Sequence, residues 1–448
     1  MPHLVLLSIP NLRRQDLPLM PRLRALVAGG EQAALVPSFP CVTCSVQASM
    51  TTGQAPDQHG VIANGFYWRD KGEVEMWTAW NDAILSPQIW DLLSQHDPNI
   101  KSAVWFPLLS KGAEADFICT PAPIHNPDGS ESLWCYTCPT EMYGELRDAL
   151  GHFPLKHFWG PLANIKSTAW IVDSAIHCAK KEQPNFFYIY LPHLDYAAQK
   201  FGPDSPQAEQ SVRELDETIE RLVEGFTAAY TEVTSENEPL TWLVASEYTI
   251  VPVDHVVYPN RVLREAGWLT LREQADGEYL DPANSRAFAM VDHQLSHIFV
   301  KDRDAAAAEQ VAKLFRGHEG IAEVLVGPQK ARYELDHERS GDVILVSTPN
   351  SWQAYYWWLQ DDRAPGFART VDIHRKPGYD PVELHFDPAT RSIPLNANLV
   401  KGSHGVPEND PETRGVILSS RPNVLRRESL ADTDVFEVVL GEMMNAER

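Results

Sequence analysis

The chain has 448 residues, 44% of them apolar, and a formal net charge of −23. That length exceeds one minimal domain, and the composition is that of a globular protein rather than a disordered one. The acidity argues against a nucleic-acid scaffold, which needs a positive surface, and no stretch approaches the roughly 18 apolar residues of a membrane span.

In chain order, the opening MPHLVLLSIPNLRR places its apolar run before its positive charges, the reverse of a secretory signal. Residues 4–8 are therefore read as a first buried strand, and a cytoplasmic location is expected. Helical periodicity follows at 21–29 and 88–94, a strand at 101–105, a helix at 168–180 and a strand at 186–191. The longest amphipathic segment, 206–230, begins after Gly-Pro-Asp-Ser-Pro, a turn-and-cap combination. Further strands are expected at 240–246 and 416–418. Continuous apolar strands alternating with helices predict an α/β fold, a mostly parallel sheet sandwiched by helices. After about residue 265 the texture changes, with a strand at 287–300, a helix at 302–316 and a strand at 341–347. Residues 266–390 are read as an inserted α+β cap, 1–265 and 391–424 as the core, and 425–448 as a peripheral C-terminal segment. The aromatic run Tyr355, Tyr356, Trp357 and Trp358 is read as packing between cap and core.

Six cysteines are few for this length and fit a reducing compartment. Cys41/Cys44 and Cys135/Cys138 form two C-x-x-C pairs that together could make a four-thiolate zinc site. About ninety residues separate them, so unpaired thiols serving as small apolar residues are expected.

The segment 39–68, FPCVTCSVQASMTTGQAPDQHGVIANGFYW, is the most informative. It puts Thr43 in a Cys-flanked turn, runs through small residues to Gly53, and continues with His59-Gly60-Val61-Ile62-Ala63-Asn64. This arrangement resembles the nucleophile segment of the alkaline phosphatase superfamily, in its nucleotide pyrophosphatase/phosphodiesterase and phosphonoacetate hydrolase branches. The resemblance implies that Thr43 attacks phosphorus while bound to a metal and that Asn64 holds a phosphate oxygen. It also implies two divalent ions at the carboxyl ends of the core strands, clamping the attacking and leaving oxygens.

Not every ligand the resemblance implies is present. Pro10 stands where an Asp is expected, with Asn11 and Asp16 as nearby polar substitutes. In LPHLDYAAQKFGP, Asp195 and Gly202-Pro203 match, whereas Gln199 replaces a His. An extended segment there would turn His193 and Asp195 to one face, letting His193 substitute. The strand-end acid–His pair reads Glu247-Tyr248: Glu247 can ligate with a longer arm, and Tyr248 is a poor replacement for His. His404, in Gly402-Ser403-His404-Gly405, matches. Acid–imidazole pairs that could compensate occur at Asp372/His374, at Asp292/His293 with His297, and at Asp254/His255. Arg375, Lys376 and Tyr379, with Arg369, make the loop beyond Asp372 rich in donors for a phosphate. The other reading of that loop is a solvated one with local ion pairs.

The resemblance implies a metal-dependent phosphoester hydrolase of phosphodiesterase/nucleotide pyrophosphatase type, using Thr43 on a small phosphorylated metabolite. One or two divalent ions are expected, zinc first, with manganese or magnesium as alternatives. The departures at Pro10, Gln199 and Tyr248 leave a second reading open: a degenerate member that binds a phosphorylated or lipid-like ligand without hydrolysing it.

Overall fold

The computed structural model describes residues 1–125, 131–234, 239–408 and 414–444. A nine-stranded sheet forms its centre, in the order Ser429–Ala431, Glu31–Val36, Gly415–Ser419, Thr241–Ser246, Leu4–Ile9, Phe186–Tyr190, Ser102–Trp105, Phe117–Pro121, Cys135–Cys138. The five strands from Thr241–Ser246 to Phe117–Pro121 in that order run parallel. Gly415–Ser419 and Cys135–Cys138 run antiparallel to their neighbours.

Every residue of Leu4–Ile9 is buried, which explains an apolar run with no polar alternation. Its side chains alternate between two cores. Val5, Leu7 and Ile9 pack with Ile171 and Ala175 of helix Ile165–Glu182 and with Leu215 and Leu222 of helix Pro206–Tyr230. Leu4 and Leu6 face Met50 of helix Thr43–Thr52, Trp90 and Leu93 of helix Ile89–His96, and Val435 and Val439 of helix Asp434–Met444.

Two expectations need correction. The C-terminal segment is not peripheral: Ser429–Ala431 is an edge strand of the main sheet, and the helix after it buries Val435, Val439 and Met443. The stretch 287–300 is not one strand but a hairpin, Ala287–Asp292 and Leu295–Val300, turning at His293 with φ of 58°. The polar Asp-His-Gln interruption sets that turn. This hairpin belongs to a second, antiparallel sheet with Val343–Ser347 and Ile321–Val326. Its core includes Val42, Ile62 and Ala63, so the second sheet packs directly on both flanks of the Thr43 segment. The aromatic run 355–358 is buried in this core.

The loops at the carboxyl ends of the parallel strands converge on one crevice, as open α/β sheets dictate. Asn11, just after the first strand, ties two of them together. Its side chain accepts from the Ile250 amide (2.9 Å) and donates to the Leu194 carbonyl (3.4 Å). Close backbone approach at Gly402 seats the loop carrying His404 on helix His193–Phe201, because a methyl group at Gly402 would collide with the Ala198 carbonyl. Gly402→Ala is therefore expected to cost about 1–3 kcal/mol in urea unfolding. An unchanged midpoint would show that the two elements are not locked together.

Candidate active site

Thr43 is the first residue of helix Thr43–Thr52, whose ten residues are all buried. Val42 precedes it in extended conformation and the helix has no side-chain cap, so Thr43 does not act as one. Instead its hydroxyl lies 2.9 Å from the Tyr248 hydroxyl, which donates to Asp195 Oδ2 at 3.0 Å. One phenolic oxygen thus joins the helix after Glu31–Val36 to the helix after Phe186–Tyr190.

Around this chain the rings form a column. Tyr248 stacks on His404 with centroids 3.6 Å apart, His404 lies 3.8 Å from His293, and His293 stacks on Tyr379 at 3.7 Å. His404 donates Nδ1–H to the Cys41 carbonyl at 2.7 Å, since a carbonyl can only accept. His293 Nδ1 lies 2.6 Å from Asp292 Oδ1. Asp292 also accepts from the Asn64 amide (2.7 Å) and side chain (3.0 Å), while Asn64 Oδ1 accepts from the Cys44 amide (2.9 Å). Asn64 is thereby committed to linking the Thr43 helix to Asp292.

Burial dominates the electrostatics. It pushes Asp195 up to about 7, against the opposing bond from Tyr248, and Glu247 up to about 8. Asp292 rises to about 6, and both His293 and His404 fall well below the usual imidazole range for the same reason.

Tyr248, His293 and Tyr379 of the column, with Thr43 and Asp195, border a cavity of about 590 Å³. Its walls include Trp77, Phe106, Phe158, Trp159, Tyr190 and Tyr196, and Lys111 supplies a cation.

The other sequence-derived candidates divide between the fold and the cavity. His193 is not on an extended segment: it begins helix His193–Phe201, where residues two apart diverge, and it bonds Glu214 at 2.9 Å. Lys376 is buried between Asp380 (2.8 Å) and Glu383 (2.5 Å), so its charge is spent on the fold rather than on a phosphate. Arg375 is largely exposed and pairs with Asp372, which leaves the Asp372/His374 pair without a free carboxylate. His374 itself lines the cavity, as does Tyr379, whose hydroxyl donates to Gln199 at 2.5 Å. The cysteines carry no disulfide, and Cys41 and Cys44 are buried.

The two-ion centre implied by the resemblance does not fit this donor set. Pro10 has no donor, the Tyr248 phenol lies between Thr43 and Asp195, and Glu247 Oε1 accepts from Ser8 (2.6 Å) and Gln47 (2.7 Å). Among the described residues no group of three or more His, Cys, Asp or Glu side chains is arranged to hold a metal ion. Asp195 Oδ1, Glu247 Oε2 and His404 Nε2 do remain buried without a partner.

The type I phosphodiesterase / nucleotide pyrophosphatase family matches residues 4–380. The chain belongs to that family. An uncharacterised pyrophosphatase/phosphodiesterase of Schizosaccharomyces pombe is 25% identical over 203 residues, 43% of this chain and only 33% of that protein. Among solved structures, phosphonoacetate hydrolase from Sinorhizobium meliloti in complex with phosphonoacetate aligns over 99% of this chain and 96% of its own. Its TM-score is 0.63 at 16% identity. Murine ectonucleotide pyrophosphatase/phosphodiesterase 5 aligns over 99% and 95%, with TM-score 0.60 and 14% identity. These likenesses show the alkaline-phosphatase-like fold.

The part played by Tyr248 is not visible in the sequence. In sequence Tyr248 reads only as a poor replacement for a metal-ligating His, although a phenol can donate and accept at once. Asp292 and His293 stand in the sequence as a compensating acid–imidazole pair, but reading 287–300 as one strand gives no sign that they lie at a hairpin turn.

Folded-state values above the ordinary 3.8 and 4.5 make Asp195 and Glu247 stabilising only while protonated. That contribution is complete below about pH 4 and is lost as pH rises through 7 to 8. In EDTA the thermal midpoint is expected to fall between about pH 5 and pH 8. Glu247→Gln, which keeps an acceptor for Ser8 and Gln47, should flatten that fall. A midpoint that rises over this window would contradict the assignment.

Proposed function

We propose that this family member hydrolyses a small phosphodiester or phosphonate, with Thr43 as nucleophile and Asp195 as its base, acting through Tyr248. The observation that carries this reading is the hydrogen-bonded sequence Thr43–Tyr248–Asp195 at the floor of the aromatic cavity. Because Tyr248 donates to Asp195, its oxygen can accept from Thr43. As Thr43 Oγ1 attacks phosphorus, its proton passes to Tyr248 and the phenolic proton passes to Asp195. A carboxyl pushed up to about 7 suits that transfer at neutral pH. The P–Oγ1 bond forms as the bond to the leaving oxygen breaks, giving a phosphothreonine. The N-terminus of the helix that starts at Thr43 favours the anionic phosphate. The ring-lined walls suit a substrate with an aromatic or apolar substituent.

A one-ion variant of the same chemistry is favoured by the unpartnered Asp195 Oδ1 and His404 Nε2. Zinc, or else manganese or magnesium, would then be held by Asp195 and His404 with Glu247 or a cap histidine as third ligand. Hydrolysis of bis(p-nitrophenyl) phosphate separates the two readings. Thr43→Ala should abolish turnover, Tyr248→Phe should lower it about 10²- to 10⁴-fold, and EDTA should leave it intact. Loss of activity in EDTA with recovery on adding zinc selects the one-ion variant, and undiminished activity of Thr43→Ala defeats both.

A further inference from the structure

We infer that the cavity at the base of the Ala287–Asp292/Leu295–Val300 hairpin is a second anion site, built for the phosphate group of a small metabolite. It shares no residue with the candidate active site and does not depend on the nucleophile reading. The cavity measures about 390 Å³, enough for a phosphate and a modest substituent. Arg69, Lys301 and Arg303 all line it, and among the described residues Asp302 is the one acid in its wall. In a chain of net charge −23, such a local excess of cations runs against the bulk and makes a focus for anions.

The three cations are held in different ways, and little of their charge is neutralised. Arg69 follows strand Gly65–Trp68; its Nη1 donates to the Val300 carbonyl (3.1 Å) and its Nη2 to Asp342 (2.8 Å). Its guanidinium carbon lies 5.1 Å from the ring centre of Phe299 and 5.9 Å from that of Tyr67, which steadies it further. Asp342 is shared, because it also accepts from the Val300 amide at 2.6 Å. Arg303 donates to the Glu338 carbonyl at 3.1 Å, a partner without net charge. The Lys301 side chain has no ion-pair partner among the described residues. Lys330 is held below the usual lysine range by burial and, against the pull of Asp336 and Asp342, by the like charges of Arg303 and Arg69.

The backbone supports the same reading. Residues 301–303 turn the chain from strand Leu295–Val300 into helix Ala305–Phe315, with Asp302 and Arg303 at φ 57° and 53°. Two consecutive residues with side chains in the left-handed region are uncommon, and such strain gathers at ligand clamps. Guanidinium forks and an ammonium together suit the several oxygens and double charge of a phosphate. A bound phosphate would tie the end of the hairpin to the strand that begins just after Asn64, whose side chain bonds Asp292 at the hairpin's other end.

The test is the thermal midpoint of the full chain in EDTA, in tens of millimolar inorganic phosphate against potassium chloride of equal ionic strength. The wild-type midpoint is expected to rise by about 2–4 °C in phosphate. Lys301→Gln combined with Arg303→Gln should lose at least half of that rise. Lys301→Arg combined with Arg303→Lys, which keeps both charges, should retain it. Both residues are exposed and in no ion pair, so the exchanges leave the fold in place. Should the double glutamine chain not fold, Lys301→Gln alone is expected to lose part of the rise. Phenyl phosphate as a second probe separates the sources. A larger rise that the glutamine pair also removes selects a phosphomonoester, and an equal or smaller one selects free phosphate. No rise in the wild type, or the same rise in the glutamine pair, overturns the site.

Discussion

The arrangement depends on one phenolic oxygen. Tyr248 brings a hydroxyl to within hydrogen-bonding distance of both Thr43 and Asp195, at the meeting point of three strand ends of the parallel sheet. A hydroxyl can do this because it donates once and accepts as well, whereas an imidazole in the same place would present a lone pair suited to a cation. The face of the same ring packs on His404 and so begins the column that runs to Tyr379. Replacing one side chain therefore changes both what joins the two helices and what the neighbouring rings can do.

Burial gives that oxygen its chemical weight. Asp195, Glu247 and Asp292 are all removed from water, and each holds its proton to a higher pH than a solvated acid. Their environments nevertheless differ. Glu247 is held by Ser8 and Gln47 inside the sheet edge, Asp195 meets the cavity, and Asp292 sits at the hairpin beneath Asn64. Three acids in one crevice are thus told apart by their hydrogen-bond partners.

Much of the fold was legible because its strands are buried on both faces. Leu4–Ile9, Phe186–Tyr190 and Thr241–Ser246 read as unbroken apolar runs, and helix Pro206–Tyr230 has a clear start and an amphipathic period. The edge of the sheet was not legible: Ser429–Ala431 is three residues long and only its central leucine is buried, which leaves no pattern to detect. In the crevice, Thr43, Asp195 and His404 could be found from local motifs and are brought together. His193 could not be placed correctly, because its orientation depends on whether a short segment is helical or extended, and the two periodicities place side chains on different faces. The pairing of Lys376 with Asp380 and Glu383 was likewise invisible, since a basic loop looks alike whether its charges face solvent or one another.

The order of the chain has a consequence for its synthesis. The Thr43 helix leaves the ribosome early, yet Tyr248, His293 and His404 follow some two hundred to three hundred and sixty residues later. Strand Glu31–Val36 waits longer still, because both of its neighbours, Gly415–Ser419 and Ser429–Ala431, lie near the other end. During elongation it is an open edge of the kind that recruits foreign strands. A nascent chain lacking its last forty residues would therefore carry an unpaired strand just before the Thr43 helix, and quality-control chaperones would have a defined place to bind.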